Sequence, residues 1–247
     1  MNTRVLMLFG GESTEHEISI ASAKNVLKAL DPAQFETTLA FIDKGGRWWR
    51  VNEVSGEKPE DAVELYPALG QKSFVTESEA LEFDVILPVL HGPNGEDGSV
   101  QALAQLLHIP IVGCDMTASA AAMNKYITKQ LAAGQNIPVV DYELHRSADK
   151  ALSFDTIAAK LGPVMFVKPA GAGSSVGVSK VTNQPELDAA INESHIHDDL
   201  VLIERAISGR ELEVAVLGNY PDIRVSVVGE IKPDREFYSY EAKYDQS

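Results

Sequence analysis

Leu87-Pro88-Val89-Leu90-His91-Gly92-Pro93-Asn94-Gly95-Glu96-Asp97-Gly98 decides the fold class. An apolar run closes on a histidine, three glycines and two acids follow, and residues 99–107 then carry apolar side chains at helical spacing before Pro110. A buried strand that turns through glycines into a helix is one βα unit. The alternation recurs upstream, where strands expected over 5–9 and 37–42 flank a helix over 18–30 that stops at Asp31-Pro32. With strands also at 85–89 and 111–112, the pattern predicts a parallel sheet covered by helices. Gly45-Gly46 before Trp48-Trp49-Arg50-Val51 reads as a turn into a strand, and 52–80 reads as irregular or as an insertion, to which no function is assigned.

The character changes near residue 120. A helix over 118–133 leads through Pro138 to a strand at 139–144, a helix at 154–161 and a strand at 164–168. Segments 176–181, a helix at 185–193, 201–204, 211–217 and 224–231 continue a second α/β region whose strands are close enough in sequence to pair antiparallel. No internal repeat or low-complexity tract interrupts either region.

A chain of 247 residues buries roughly 70–75% of its unfolded surface, enough for one or two ordinary cores without a disulfide or metal staple. Its net charge of -15 disfavours nucleic acid and anionic membrane as partners, because both are met with basic patches. A phosphate would have to be held by a few local lysines and backbone amides. The single cysteine, Cys114, has no internal partner, and apolar runs such as 85–90 are too short to span a bilayer. Met1 leads straight into the first strand, without a signal-peptide cleavage site, so a soluble cytoplasmic protein is expected.

Four stretches carry chemistry. The first strand empties into Gly10-Gly11-Glu12-Ser13-Thr14-Glu15, where ligands of open α/β sheets sit; a capping loop in which Ser13 or Thr14 caps the next helix and the acids face water is the plainer account. The His91–Gly98 turn gathers polar groups, although glycine and acids also suit an ordinary βα turn and His91 could be structural. Lys168-Pro169-Ala170-Gly171-Ala172-Gly173-Ser174-Ser175-Val176-Gly177 is the strongest: a lysine closes a strand, and a small hydroxyl-bearing loop offers backbone amides to phosphates. It is not a Walker loop, since Gly-x-x-x-x-Gly-Lys-Ser/Thr is absent and a strand follows. In the fourth, Glu204 ends an apolar strand and Glu211 and Glu213 follow a turn; carboxylates there suit ribose or an adenine amine, but edge-strand acids facing water are the simpler reading.

In this order and spacing the four stretches, with Phe237-Tyr238-Ser239-Tyr240-Glu241-Ala242-Lys243-Tyr244, resemble the D-alanine–D-alanine ligases of the ATP-grasp superfamily. The run from His91 to Ala102 fits that family's signature throughout. The resemblance implies an α/β fold of an amino-terminal parallel-sheet substrate domain over 1–118, an ATP-grasp central α+β domain over 119–208 and the start of a carboxyl-terminal ATP-grasp domain over 209–247. It implies that Lys125 and Lys168 contact nucleotide phosphates, that Ser174, Ser175 and Val176 belong to a closing loop, and that Glu204 and Glu211 receive adenine and ribose. The backbone of Ala206 and Ile207 would line the adenine slot, Glu15 would help hold the first D-alanine with His91 nearby, Lys243 would reach the γ-phosphate, and Tyr244 would bond toward Ser174 and Glu15. ATP and Mg2+ are the implied cofactors, D-alanine the substrate, and a homodimer the usual assembly.

Departures from the commoner family pattern are Asn124 before the lysine, Gly171-Ala172 in the loop, and Ser239. The family continues with a lobe carrying an arginine, an aspartate and a Glu-x-Asn metal set, so the magnesium ligands are expected beyond residue 247, no metal ligand is assigned here, and residues 1–247 alone are expected to be catalytically incomplete. Rival readings are a D-alanine–D-lactate or D-alanine–D-serine ligase, against which Tyr244 weighs, and a nucleotide- or D-alanine-binding fragment without turnover.

Overall fold

The computed structural model describes residues 2–232, and the chain divides into two compact units, 1–137 with 171–173, and 138–170 with 174–247. The first unit runs β1 (Thr3–Gly10), α1 (His16–Ala29), β2 (Phe35–Ile42), β3 (Trp48–Val51), β4 (Val63–Glu64), β5 (Tyr66–Ala68), β6 (Ser73–Val75), β7 (Ala80–Glu82), β8 (Val85–Pro88), α2 (Ser99–Leu106), α3 (Met116–Met123) and α4 (Lys125–Gly134). Its main sheet has the order β4-β3-β2-β1-β8, with β1 parallel to β2 and β8 and the β2-β3-β4 side antiparallel. Central β1 is buried from Val5 to Gly10, as expected of a strand covered on both faces. Leu6 and Leu8 pack with Ile86, Val100, Ala104 and Leu107 on one side, while Met7 and Phe9 meet Ile20, Ala23 and Phe41 on the other. This layering aims the carboxyl ends of β1, β2 and β8 at one edge.

The second unit runs β9 (Tyr142–Arg146), α5 (Phe154–Leu161), β10 (Met165–Pro169), β11 (Ser179–Val181), α6 (Gln184–His195), β12 (Leu200–Arg205), β13 (Glu211–Glu213), β14 (Val216–Leu217), β15 (Arg224–Val225) and β16 (Gly229–Ile231). The order β11-β10-β12-β9 is antiparallel throughout. Met165, Val167, Val201 and Ile203 alternate onto the face covered by Ile157 and Leu161 of α5 and Leu187, Ala190 and Ile191 of α6. Each fully buried side chain of this kind stabilises by about 1.5–3 kcal/mol relative to exposure.

Several expectations are corrected. Segment 52–80 is irregular only over 52–62: beyond it β5, β6 and β7 form a small sheet, and Leu65 and Phe74 enter the core, Phe74 stacking on Trp48 at 5.5 Å and 19°. Strands of two or three residues are too short to show a period of two. Segment 111–112 makes only a bridge from Ile111 to Ile86. The helix expected over 118–133 breaks at Asn124, whose Oδ1 accepts the Ile127 N–H at 3.1 Å and so starts a new helix. Segment 176–181 becomes a strand only at Ser179, because Ser174, Ser175 and Gly177 take φ of 46°, 62° and 66°, outside the strand region. The runs 211–217 and 224–231 each split in two, and β13 pairs with β16 around the β14–β15 hairpin.

Candidate functional site

In the first unit, the loop after β1 is pinned to the loop after β8. The Gly10 N–H donates to Ser19 Oγ at 2.8 Å, and that hydroxyl donates in turn to the Val89 carbonyl. Gly10 has φ of 90°, and a β-carbon there would lie 2.3 Å from the Ile42 carbonyl, so only glycine fits. Ser13 does not cap α1. Its Oγ accepts the Glu15 N–H at 3.1 Å and donates to the His91 carbonyl at 2.7 Å, while the helix has no side-chain cap. Glu15 is 4% exposed, so the picture of solvated acids holds for Glu12 and Glu17 but not for this carboxylate.

Gly92 lies directly against Glu15: a β-carbon at Gly92, where φ is 71°, would meet Glu15 Oε2 at 2.7 Å. The two acids of the turn hold its shape. Glu96 Oε2 accepts the Gly92 N–H at 2.9 Å, and Asp97 accepts those of Asn94 at 2.9 Å and Ser99 at 3.0 Å. Partial burial opposes ionisation of Asp97, but these N–H donors outweigh it and hold its carboxyl below the usual range. The His91 ring is met by Ser22, whose Oγ lies 3.1 Å from Nε2. Beside it a cavity of about 230 Å³ is lined by Gly10, Gly11, Trp48, Leu90, His91 and Leu103.

Lys125 is the first residue of α4, placed there by the Asn124 cap, and its Nζ donates to the Ala172 carbonyl. Neighbouring Gly173 approaches Glu15, with 3.9 Å from its would-be β-carbon to Glu15 Oε2. Gly173 therefore sits where a side chain would narrow the space beside that carboxylate.

In the second unit, the sheet face opposite α5 and α6 carries Tyr142, Leu144, Phe166, Lys168, Leu202 and Glu204, as the strand registers require. Lys168 Nζ forms an ion pair with Glu204, their side chains being 22% and 8% exposed. Glu204 is thus not an edge-strand acid facing water, since β12 lies between β10 and β9 and buries it. Ser174 and Ser175 hold consecutive left-handed conformations, costly for non-glycine residues and frequent at functional loops. Gly177 completes the turn, and its carbonyl accepts from Ser194 Oγ at 2.9 Å.

Of the residues singled out from sequence, Glu15, His91 and Lys125 belong to the first unit, and Lys168, Ser174, Ser175, Val176, Glu204, Ala206, Ile207 and Glu211 to the second. Ala206 is half-buried, with its N–H donating to the Val164 carbonyl at 3.1 Å, while Ile207 and Glu211 are exposed. Lys243 and Tyr244 lie outside the described residues. Ser13, Ser19, Ser22 and Gly92 were not picked out as site residues; the serine spacing of three and six along the chain was the available signal, and it is also common in ordinary helices.

A parallel-sheet α/β unit followed by an antiparallel sheet that is backed by helices and offers a lysine and a buried glutamate is an ATP-grasp arrangement. Residues 4–114 match the family described as D-ala D-ala ligase N-terminus, and residues 131–247 match D-ala D-ala ligase C-terminus. The D-alanine--D-alanine ligase of Shouchella clausii is 43% identical over 259 residues, covering 98% of this chain and 70% of the relative, and that of Caldicellulosiruptor bescii is 43% identical over 255 residues with the same coverage. Among solved structures, the D-alanine-D-alanine ligase from Coxiella burnetii superposes with a TM-score of 0.86 at 34% identity, over 93% of this chain and 71% of that one. The VanG D-Ala:D-Ser ligase from Enterococcus faecalis gives 0.87 at 32%, over 99% and 74%. The chain belongs to the D-alanine–D-alanine ligase family.

Among the described residues, no helix is long and apolar enough to cross a membrane.

Proposed function

We propose that this protein takes part in ATP-dependent joining of two D-alanines to D-alanyl-D-alanine for peptidoglycan synthesis, in the cytoplasm and as a homodimer. The observation that carries the reading is the buried Glu15 carboxylate set against Gly92 of the His91 turn, in a chain of this family. A buried carboxylate beside open glycine backbone suits a small ammonium group, whose N–H donors it can accept in charge-assisted hydrogen bonds. On this reading Glu15 holds the amine of the first D-alanine and His91 lies beside that substrate.

The described residues also fit the anionic end of ATP. Lys168 and Lys125 are half-buried cations, and left-handed Ser174 and Ser175 shape the loop that follows Lys168. We assign Lys125, Lys168 and Lys243 to the phosphates, Ser174, Ser175 and Val176 to loop closure, Glu204 and Glu211 to adenine and ribose, and the Ala206 and Ile207 backbone to the adenine slot. Tyr244 would link Ser174 and Glu15. The domain division that accompanies these roles is 1–118, 119–208 and 209–247.

The carboxylate of the first D-alanine attacks the γ-phosphorus of ATP, and the bond to the β–γ bridging oxygen breaks, giving D-alanyl phosphate and ADP. This creates the leaving group that a bare carboxylate lacks. The amine of the second D-alanine attacks the acyl carbon, and the tetrahedral oxyanion expels phosphate and loses a proton to leave the dipeptide. Lysines offset the charge that moves during phosphoryl transfer, so positioning and electrostatics carry the catalysis, and Ser174 is not a nucleophile. Magnesium would screen the β- and γ-phosphates; among the described residues no three His, Cys, Asp or Glu side chains cluster as a metal set.

The test is D-alanine-dependent phosphate release from ATP with chromatographic identification of the product, and calorimetric titration of D-alanine. Formation of D-alanyl-D-alanine is expected. A product made only when D-serine or D-lactate is supplied would overturn the choice of second substrate, and absence of D-alanine binding would overturn the assignment of Glu15.

A further inference from the structure

Glu15, Ser19 and Ser22 follow one another at spacings of four and three, so they lie along one edge of the α1 segment. Each addresses the strand-to-turn passage after β8 at a different point. Glu15 stands over Gly92, Ser19 Oγ bonds the Val89 carbonyl, and Ser22 Oγ lies 3.1 Å from His91 Nε2. His91 is held a second time through its carbonyl, which accepts from Ser13 Oγ at 2.7 Å. Its Nδ1 has no hydrogen-bond partner among the described residues.

We propose that Ser22 is a positioning residue that acts through His91: by engaging Nε2 it fixes the ring and leaves Nδ1 as the nitrogen that meets the first D-alanine. The proposal rests on the reading of His91 as a neighbour of that substrate. A hydroxyl serves either charge state of the ring. It donates to Nε2 of the neutral Nδ1–H tautomer, and it accepts from Nε2–H of the other neutral tautomer or of the imidazolium, so in every case Nε2 is engaged and Nδ1 is left for another partner. Alanine at position 22 can do neither, and the ring is then free to turn about its broad terminal torsion. Ser22 is half-buried in the body of α1, and alanine is the better helix former, so the variant is expected to fold.

The experiment compares wild type, Ser22→Ala, Ser22→Thr, His91→Ala and the double alanine variant, by calorimetric D-alanine affinity and by the ring 15N shifts of His91 in long-range 1H–15N spectra. A neutral hydrogen bond of this kind corresponds to roughly a two- to tenfold change in affinity. Ser22→Ala should weaken D-alanine by that factor and move the ring shifts, Ser22→Thr should restore both, and Ser22→Ala should cost nothing further once His91 is alanine. Unchanged ring shifts and affinity in Ser22→Ala, or an equal loss in the His91→Ala background, would overturn the positioning role. If His91→Ala itself leaves D-alanine affinity untouched, the substrate-side reading of His91 fails and the proposal falls with it; weakened binding in His91→Ala beside a silent Ser22→Ala refutes the positioning role alone.

Discussion

Lys168 and Glu204, proposed above to meet the nucleotide, also form an ion pair that bears on folding. Both side chains are largely withdrawn from water. Removing a charge-assisted phosphate contact costs about 1.5–3 kcal/mol, so Lys168→Ala should weaken ATP about ten- to a hundredfold in a calorimetric titration. The same substitution removes a cation from beside a buried carboxylate, which is destabilising beyond the loss of the contact. Lys168→Ala should therefore lower the unfolding midpoint more than Lys168→Ala combined with Glu204→Gln, because the second change removes a buried charge that has lost one of its cations. Equal midpoints for the single and double variants would show that the pair is not coupled in folding.

At the scale of elements, the small β5–β6–β7 sheet is where local sequence and final role diverge most. Gln71-Lys72-Ser73-Phe74-Val75-Thr76 reads as a polar loop with one aromatic in it. Yet Phe74 is fully buried, packed between Trp48 and Phe83, and belongs to the same core as Leu6 and Leu8 of β1. Phe74→Ala should cost about 3–5 kcal/mol in urea denaturation, as for a large aromatic removed from a packed core. Tyr66 in the neighbouring β5 is 47% exposed, and Tyr66→Ala should cost far less. Similar small losses for both would mean that the segment is an appendage after all. The break between α3 and α4 is a second element-scale case: an asparagine cap restarts the helix and so sets Lys125 at its first turn, which an uninterrupted helix over 118–133 would not do.

Stability of the whole molecule has a pH-dependent part at the edge opposite the site. Arg4 of β1 holds Asp84, at the entry to β8, through Nη2 to Oδ1 at 2.9 Å and its own backbone N–H to Oδ2 at 2.8 Å, and it reaches Glu82 at 3.1 Å. The side-chain bond from Arg4, then its backbone bond, lower the Asp84 carboxyl from 3.8 to about 2. A carboxyl depressed in the folded state contributes stability that is fully present above the unfolded value and is lost as pH falls through the folded one. That window runs from near 3.8 down to about 2. Asp84→Asn should lower the urea midpoint slightly at neutral pH and flatten its decline in acid, the effect being small because the pair is solvent-exposed. An acid limb as steep as wild type would assign the dependence to other carboxylates.

The sequence by itself determined the order of βα units, the antiparallel character of the second region, the βα turn at His91–Gly98 and the glycine-serine loop after Lys168, because each is written in a period, a spacing or a glycine pattern within a few neighbouring residues. The tertiary structure alone decided which acids are buried. Glu15 and Glu204 resemble Glu12 and Glu211 on paper, but only the first two lie where distant strands and turns shut out water, Glu15 against Gly92 and Glu204 between β10 and β9. It also decided that Ser19 and Ser22 address the β8 turn some seventy residues away rather than solvent, and that Phe74 is core. Burial and hydrogen-bond partnership are set by contacts between residues far apart in the chain, and no local pattern records them.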